Sequence, residues 1–211
     1  MPEIWVPFGA AMEMLQQALD LPPDGGSALE ARVRQLAAAD VPSLKRSAAN
    51  ARFRYGLTEI AELAIALVLI DGRMAPATAA RYVTERWPFF AKAAIAGIGP
   101  SLTSGWEAQH PKRGGPFVVI EGNALSTLGK RAMREKTPEP LAPIACYATR
   151  NETMAALQGF ASASWINAAC FMPRIVELLG RHAVVPQDMW DSLHRLRQSE
   201  KPAGGKDAAF A

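Results

Sequence analysis

The sequence predicts a mainly α-helical chain with small β elements, divided into two modules. Three observations lead there. Residues 1–90 give four spans with apolar residues at helical spacing. Residues 41–58 interrupt them with a short basic stretch that alternates with a period of two. Residues 96–115, rich in glycine, proline and serine, then separate those spans from a segment that returns first as strands and later as helices. With 211 residues, 49% of them apolar, there is enough material for a buried core. The expected division is a first module over 1–90, an α+β module ending in long helices over 91–199, and a disordered tail over 200–211 with few packing residues.

Gly9 to Leu21 has Met12, Leu15 and Leu19 at helical spacing, and the prolines and glycines of LPPDGG forbid continuation. A second helix is expected to start at Ser27. There Ser27-Ala28-Leu29-Glu30 fits a capping box, the serine hydroxyl accepting from the Glu30 N–H while the carboxylate reaches back. Leu29, Val33 and Leu36 recur at i, i+4 and i+7 as an inward stripe, which leaves Ala31, Arg34, Gln35 and Ala38 on the opposite face. Small residues mixed with hydrogen-bond donors suit a helix that must approach base edges closely. Pro42 stops it.

From Ser43 the period falls to two. Arg52 and Arg54 point one way and Phe53 and Tyr55 the other, with Ser-Ala-Ala-Asn after Arg46 as the turn of a ribbon. Gly56 fits the N-cap of a third helix, with Glu59 at its third position near the positive end of the dipole. Ile60, Leu63, Ile65, Leu67, Leu69 and Ile70 make that helix apolar almost all round, a buried spine ending at Gly72. Pro76 suits the N1 position of a fourth helix carrying Ala79, Tyr82, Val83 and Trp87, which Pro88 should stop.

In the second module, strands are expected at Pro116–Glu121 and Ile144–Thr149, with a helical stretch near Ala124–Glu135 between them. Glu152 to His182 reads as a long helical span that Pro173 kinks or splits, and Pro186 opens a last helix through Met189, Leu193 and Leu196. Trp165, Phe171, Met172 and Trp190 are expected to be plain core, with an apolar pocket or dimer seam as the alternative.

Several function classes find no support. Cys146 and Cys170 lack the spacing of a metal site or redox pair and are expected as buried thiols. His110, His182 and His194 have no i, i+4 partner, so no metal site is expected. The segment ALSTLGKR at 124–131 has alanine where a P-loop needs its first glycine and arginine where it needs Ser or Thr. GIGPSLTSG at 97–105 lacks a preceding strand, and no serine sits in a nucleophile elbow. Asp188 and Asp191 read as dipole-favouring charge at a helix start. No catalytic residue, cofactor or enzyme activity is expected. The longest apolar segment, Ile60 to Ile70, is interrupted by Glu62 and too short to cross a bilayer. Residues 1–20 have no secretory pattern, so a cytoplasmic protein without a membrane partner is expected.

Charge distribution is the best functional clue. The net charge is only +3, yet residues 41–58 carry Lys45, Arg46, Arg52 and Arg54 with no acid, whereas residues 1–40 set Arg32 and Arg34 against six acids. Two short positive elements flanking one apolar helix are the parts of a winged helix-turn-helix. Phe53-Arg54-Tyr55-Gly56-Leu57-Thr58-Glu59-Ile60-Ala61-Glu62-Leu63, preceded by LEARVRQLAAADVP, resembles the mercury-resistance-regulator (MerR) class over about residues 27–86. That resemblance implies Arg32, Arg34 and Gln35 near the major groove and Lys45, Arg46, Arg52 and Arg54 in a wing against phosphate. Phe53 and Tyr55 would anchor the wing to the core. It implies a sequence-specific regulator of transcription, bacterial or prophage-type, that binds double-stranded DNA; a homodimer is expected because one small winged helix covers few base pairs and a two-fold pair presents two readers at once. The long dimer helix that usually follows is replaced here by Pro88 and a loop-rich region. The second module, unlike the family's sensors, is left with dimerisation or the sensing of a small-molecule or protein effector. The alternative is a non-enzymatic module whose winged helix binds another protein.

Overall fold

A computed structural model describes residues 4–22, 25–43, 54–98, 115–122, 141–160, 162–183 and 186–199. Within them the chain is mainly helical with two small antiparallel sheets. Lys45, Arg46, Arg52, Phe53, the stretch near Ala124–Glu135, His110 and the 200–211 tail lie outside the described residues.

The first sheet pairs β1 (Val6–Pro7) with β2 (Arg54–Tyr55), in the register Val6↔Tyr55 and Pro7↔Arg54. The described partner of Arg54–Tyr55 is thus the start of the chain, a pairing no local pattern announces. Pro7, which has no N–H to give a ladder, occupies an edge position. Helix α1 (Phe8–Ala18) follows directly and buries Ala11, Met14, Leu15 and Ala18. Its inward stripe differs from the expected Met12, Leu15 and Leu19, and it ends before the prolines of LPPDGG.

Helix α2 spans Gly26–Ala37 and buries Leu29, Val33 and Leu36, the stripe its spacing predicts. Its start differs from expectation. Gly25 is already in helical conformation and stands as N-cap, so Ser27 lies inside the helix and makes no cap, and Glu30 pairs instead with Arg34. Helix α3 (Leu57–Asp71) starts at Gly56, whose N–H donates to Glu59 Oε2 at 3.1 Å, and is buried along most of its length.

Three helix ends share one device. Asp20, Asp40 and Arg73 have φ of 52°, 59° and 68°, and the next residue in each case reaches back. Leu21 N–H donates to Gln16 O, Val41 N–H to Leu36 O, and Met74 N–H to Leu69 O. These are Schellman closures with a side-chain-bearing residue where glycine is usual, each followed by an apolar residue that folds back on the core. The first two helices stop there, ahead of the prolines expected to stop them, and the third ends at Gly72 as expected.

Helix α4 (Pro76–Gly97) has Pro76 at its N1 position, as expected, but continues past Pro88. Pro88 removes one backbone bond and crowds the preceding turn, and the chain absorbs this at Arg86 (φ −122°, ψ 18°) as a kink. Burial of Trp87, Phe90, Ala91, Ala94 and Ile95 keeps the second half helical. Gly97 lets α4 touch the next layer, because a Cβ there would sit 2.7 Å from the Ala168 carbonyl carbon.

The second sheet has strand order β4–β3–β5: β3 (Phe117–Glu121) lies between β4 (Ile144–Tyr147) and β5 (Ala163–Asn167), antiparallel to both. β3 and β4 fall within the strands expected at Pro116–Glu121 and Ile144–Thr149. β5 overturns the helical reading of Glu152 to His182, since Val118↔Ile166 and Val119↔Trp165 place its residues in a ladder. That span splits into α5 (Arg150–Leu157), β5, a short 3₁₀ turn (Ala168–Cys170) and α6 (Met172–Gly180), with Pro173 in the first turn of α6. Thr149 and Glu152 close a capping box on α5. Helix α7 (Pro186–Gln198) completes the fold.

Helix α3 is the centre, packed by α1, α2, α4, α6 and α7. One cluster of buried apolar side chains runs from Ile4 to Leu196. The border expected between residues 90 and 91 falls inside α4, and that cluster draws on both sides of it. Phe171 and Met172 are core as expected, but Trp165 is 46% exposed, stacked on Phe117 on the outer side of the sheet. Cys146 is half-buried, whereas Cys170 is exposed because the 3₁₀ turn carries it outward. No helix among the described residues is long and apolar enough to cross a membrane.

Candidate nucleic-acid interface

Helix α2 shows one side to the core and the other to solvent. With Leu29, Val33 and Leu36 buried, the 3.6-residue repeat turns Arg32, Arg34 and Gln35 outward, and all three are exposed. α2 rests on α1, α3 and α4, which leaves that outer face uncovered among the described residues. Arg34 Nη2 donates to Glu30 Oε1 at 2.6 Å, with the arginine side chain 74% exposed. An i, i+4 pair this open to water is worth about 0.3–0.5 kcal/mol. It therefore positions the guanidinium without preventing exchange for a stronger anion.

Strand β2 provides the second element. Arg54 is exposed and Tyr55 buried at 4% exposure, the alternation the period of two predicts. The Tyr55 ring meets Phe8 with centroids 6.0 Å apart, and burial raises its phenol above the usual tyrosine range. Tyr55 thus fixes β2 to the core, and Arg54, next in the chain, is held at the surface. A groove of about 590 Å³ joins the two elements, its lining including Pro7, Phe8, Glu30, Val33, Arg34 and Tyr55. Arg34 and Tyr55 border the same depression, and Arg54 pairs with Pro7 on its rim. Of the seven cationic or amide residues expected at the interface, Arg32, Arg34, Gln35 and Arg54 are therefore described and exposed. Lys45, Arg46 and Arg52 lie outside the described residues.

A polar cluster behind this face was not expected from the sequence. Glu59 and Glu62 are both almost fully buried on α3. Glu62 takes the Ser43 N–H and the Ser43 hydroxyl, each at 2.7 Å, on its two oxygens. Burial pushes the Glu62 carboxyl up to about 7, opposed by the two Ser43 bonds. Glu59 pairs with Arg195 of α7, whose guanidinium lies 4.7 Å from the Trp5 ring centroid. The same helix meets the chain's start a second time, where Ile4 N–H donates to Ser192 Oγ at 3.3 Å. The one available sequence signal was an acid at 62 inside an otherwise apolar helix.

No group of acids, histidines and cysteines that could hold a metal exists among the described residues. Burial raises the Cys146 thiol to about 11, which keeps it protonated and unreactive near neutrality. In comparisons with protein-family models, curated proteins and solved structures, nothing matches this chain.

Proposed function

We propose that this chain is a sequence-specific binder of double-stranded DNA, a transcriptional regulator with a MerR-like winged helix-turn-helix in its first part, acting as a homodimer. The observation that carries the reading is the outward face of α2, where Arg32, Arg34 and Gln35 stand clear of the protein's own packing beside the β1–β2 ladder with Arg54. The order strand, helix, helix, strand, helix over β1 to α3 also supports it. In this reading α2 enters the major groove and reads base edges. Arg54 contacts phosphate together with Lys45, Arg46 and Arg52, setting the register. A two-fold pair would present two such readers at once and gain affinity by effective concentration.

A second reading has its own observation. The groove between α2 and the β1–β2 ladder is lined mostly by apolar residues, a surface better matched to a protein side chain than to phosphate. A mobility shift on random duplex at two salt concentrations separates the two, with Arg52→Ala/Arg54→Ala as control. The DNA reading predicts binding that weakens steeply with salt, through counterion release, and is reduced in the double variant. Salt-insensitive or absent binding, or equal binding by the variant, favours the protein-interaction reading.

A further inference from the structure

Two buried carboxylates one turn apart on α3 hold the chain on either side of residues 44–53. Glu62 accepts both polar hydrogens of Ser43, and Glu59 accepts the N–H of Gly56, the residue that follows β2. Among the described residues, the charged groups acting on Glu62 are Glu59 on its own helix and Arg195 from α7, and the residue it meets after α2 is the uncharged Ser43. Arg195 pairs directly with Glu59. Glu62 thus relies on neutral donors.

We propose that Glu62 is a proton-operated latch on Ser43: the ionised carboxylate grips it through two charge-assisted bonds, the neutral acid grips it less, and the Glu59–Arg195 pair keeps Gly56 in place in both states. Taking one proton from solvent turns a Glu62 oxygen from acceptor to donor. The Ser43 hydroxyl must then rotate to accept, and the Ser43 N–H keeps only a neutral carbonyl oxygen. The carboxyl titrates at about 7, between the cost of burial and the opposing pull of the Ser43 bonds, so the change falls near neutrality.

Local grip and global stability then move in opposite directions. The folded-state value lies above the unfolded one, so the folded chain binds more protons between them. The contribution of Glu62 to stability is greatest below its ordinary value of 4.5 and declines as pH rises to about 7. The hold on Ser43 strengthens over the same rise. This inference goes beyond DNA binding and stands whether or not that reading does.

The test is amide hydrogen exchange at Ser43 in the full chain, corrected for intrinsic rates, at about pH 5.5 and about pH 8.5, with thermal unfolding alongside. Protection of Ser43 is expected to be about fivefold or more higher at the upper pH, the margin of a charge-assisted over a neutral bond. The thermal midpoint should be lower there. Glu62→Gln, which mimics the neutral acid, should abolish the change in Ser43 protection and remove the Glu62 part of the change in midpoint. Equal protection at the two pH values, or a protection change that survives in Glu62→Gln, overturns the latch. If that variant does not fold, Ser43→Ala serves: losing the hydroxyl bond should move the stability titration to higher pH, and an unmoved titration overturns the proposal.

Discussion

Helices α2 and α3 are neighbours that treat charge in opposite ways. α2 buries a three-residue stripe and leaves Arg32, Arg34 and Gln35 in water, where the Arg34–Glu30 pair adds little to stability. α3 is enclosed by five helices, and each oxygen of its two buried carboxylates accepts from Ser43, Gly56 or Arg195. Charge in solvent remains available to a partner molecule. Charge in the core fixes the chain around it. A charged side chain is therefore open to a partner molecule on one helix and part of the architecture on the next, and burial decides which.

The largest effect is expected where the buried side is broken. Arg195→Ala leaves Glu59 nearly fully buried beside Glu62 without its cation, and should cost about 3 kcal/mol in urea unfolding. It sits at the low end for buried pairs because the arginine is partly exposed. A loss under about 1 kcal/mol would mean that the pair behaves like a surface one.

Next comes the exposed side. Arg34→Ala should reduce discrimination between the preferred site and a mutated one by about 1–3 kcal/mol if the guanidinium makes a bidentate base contact. Footprinting of an unchanged site would remove Arg34 from base reading. The same substitution should leave unfolding within about 0.5 kcal/mol of wild type, so that function and stability separate at one position.

A smaller gain is expected at the α3 terminus. Arg73 holds a left-handed conformation that costs a residue with a Cβ about 1–2 kcal/mol, part of which glycine returns through its unfolded-state entropy. Arg73→Gly should raise stability by about 0.5–1 kcal/mol, and a thermal midpoint that falls instead would show that the side chain contributes there.

The helices of the first part were legible because their burial is one-sided or complete. The Leu29, Val33 and Leu36 stripe and the start of α3 at Gly56 both came from local spacing and local caps. Strand β5 was not legible. Ser164, Trp165 and Ile166 sit in an alanine-rich stretch whose composition favours helix, and pairing with β3, more than forty residues earlier, overrides it. Pro88 misled for a related reason: the rule that proline ends a helix is local, and the buried residues on both sides of the kink outweigh it. At the candidate interface, alternation gave the exposure of Arg54 and the burial of Tyr55. The partners of Glu59 and Glu62 stayed hidden, because Ser43 lies 19 residues before Glu62 and Arg195 lies 136 residues after Glu59. Separations of that kind are set by tertiary packing, to which periodicity is blind.

The proposed reading of DNA by the outer face of α2 rests on Arg32 and Arg34 standing in water on a helix whose other side is buried in the core. Duplex binding by wild type and by Arg32→Ala/Arg34→Ala, followed across a salt series with unfolding measured on the same samples, tests it most directly. Log affinity should fall linearly with log salt for wild type, with weaker binding and a shallower slope for the variant, and unfolding should agree within about 0.5 kcal/mol between them. Equal affinity and slope in two equally stable proteins would contradict it.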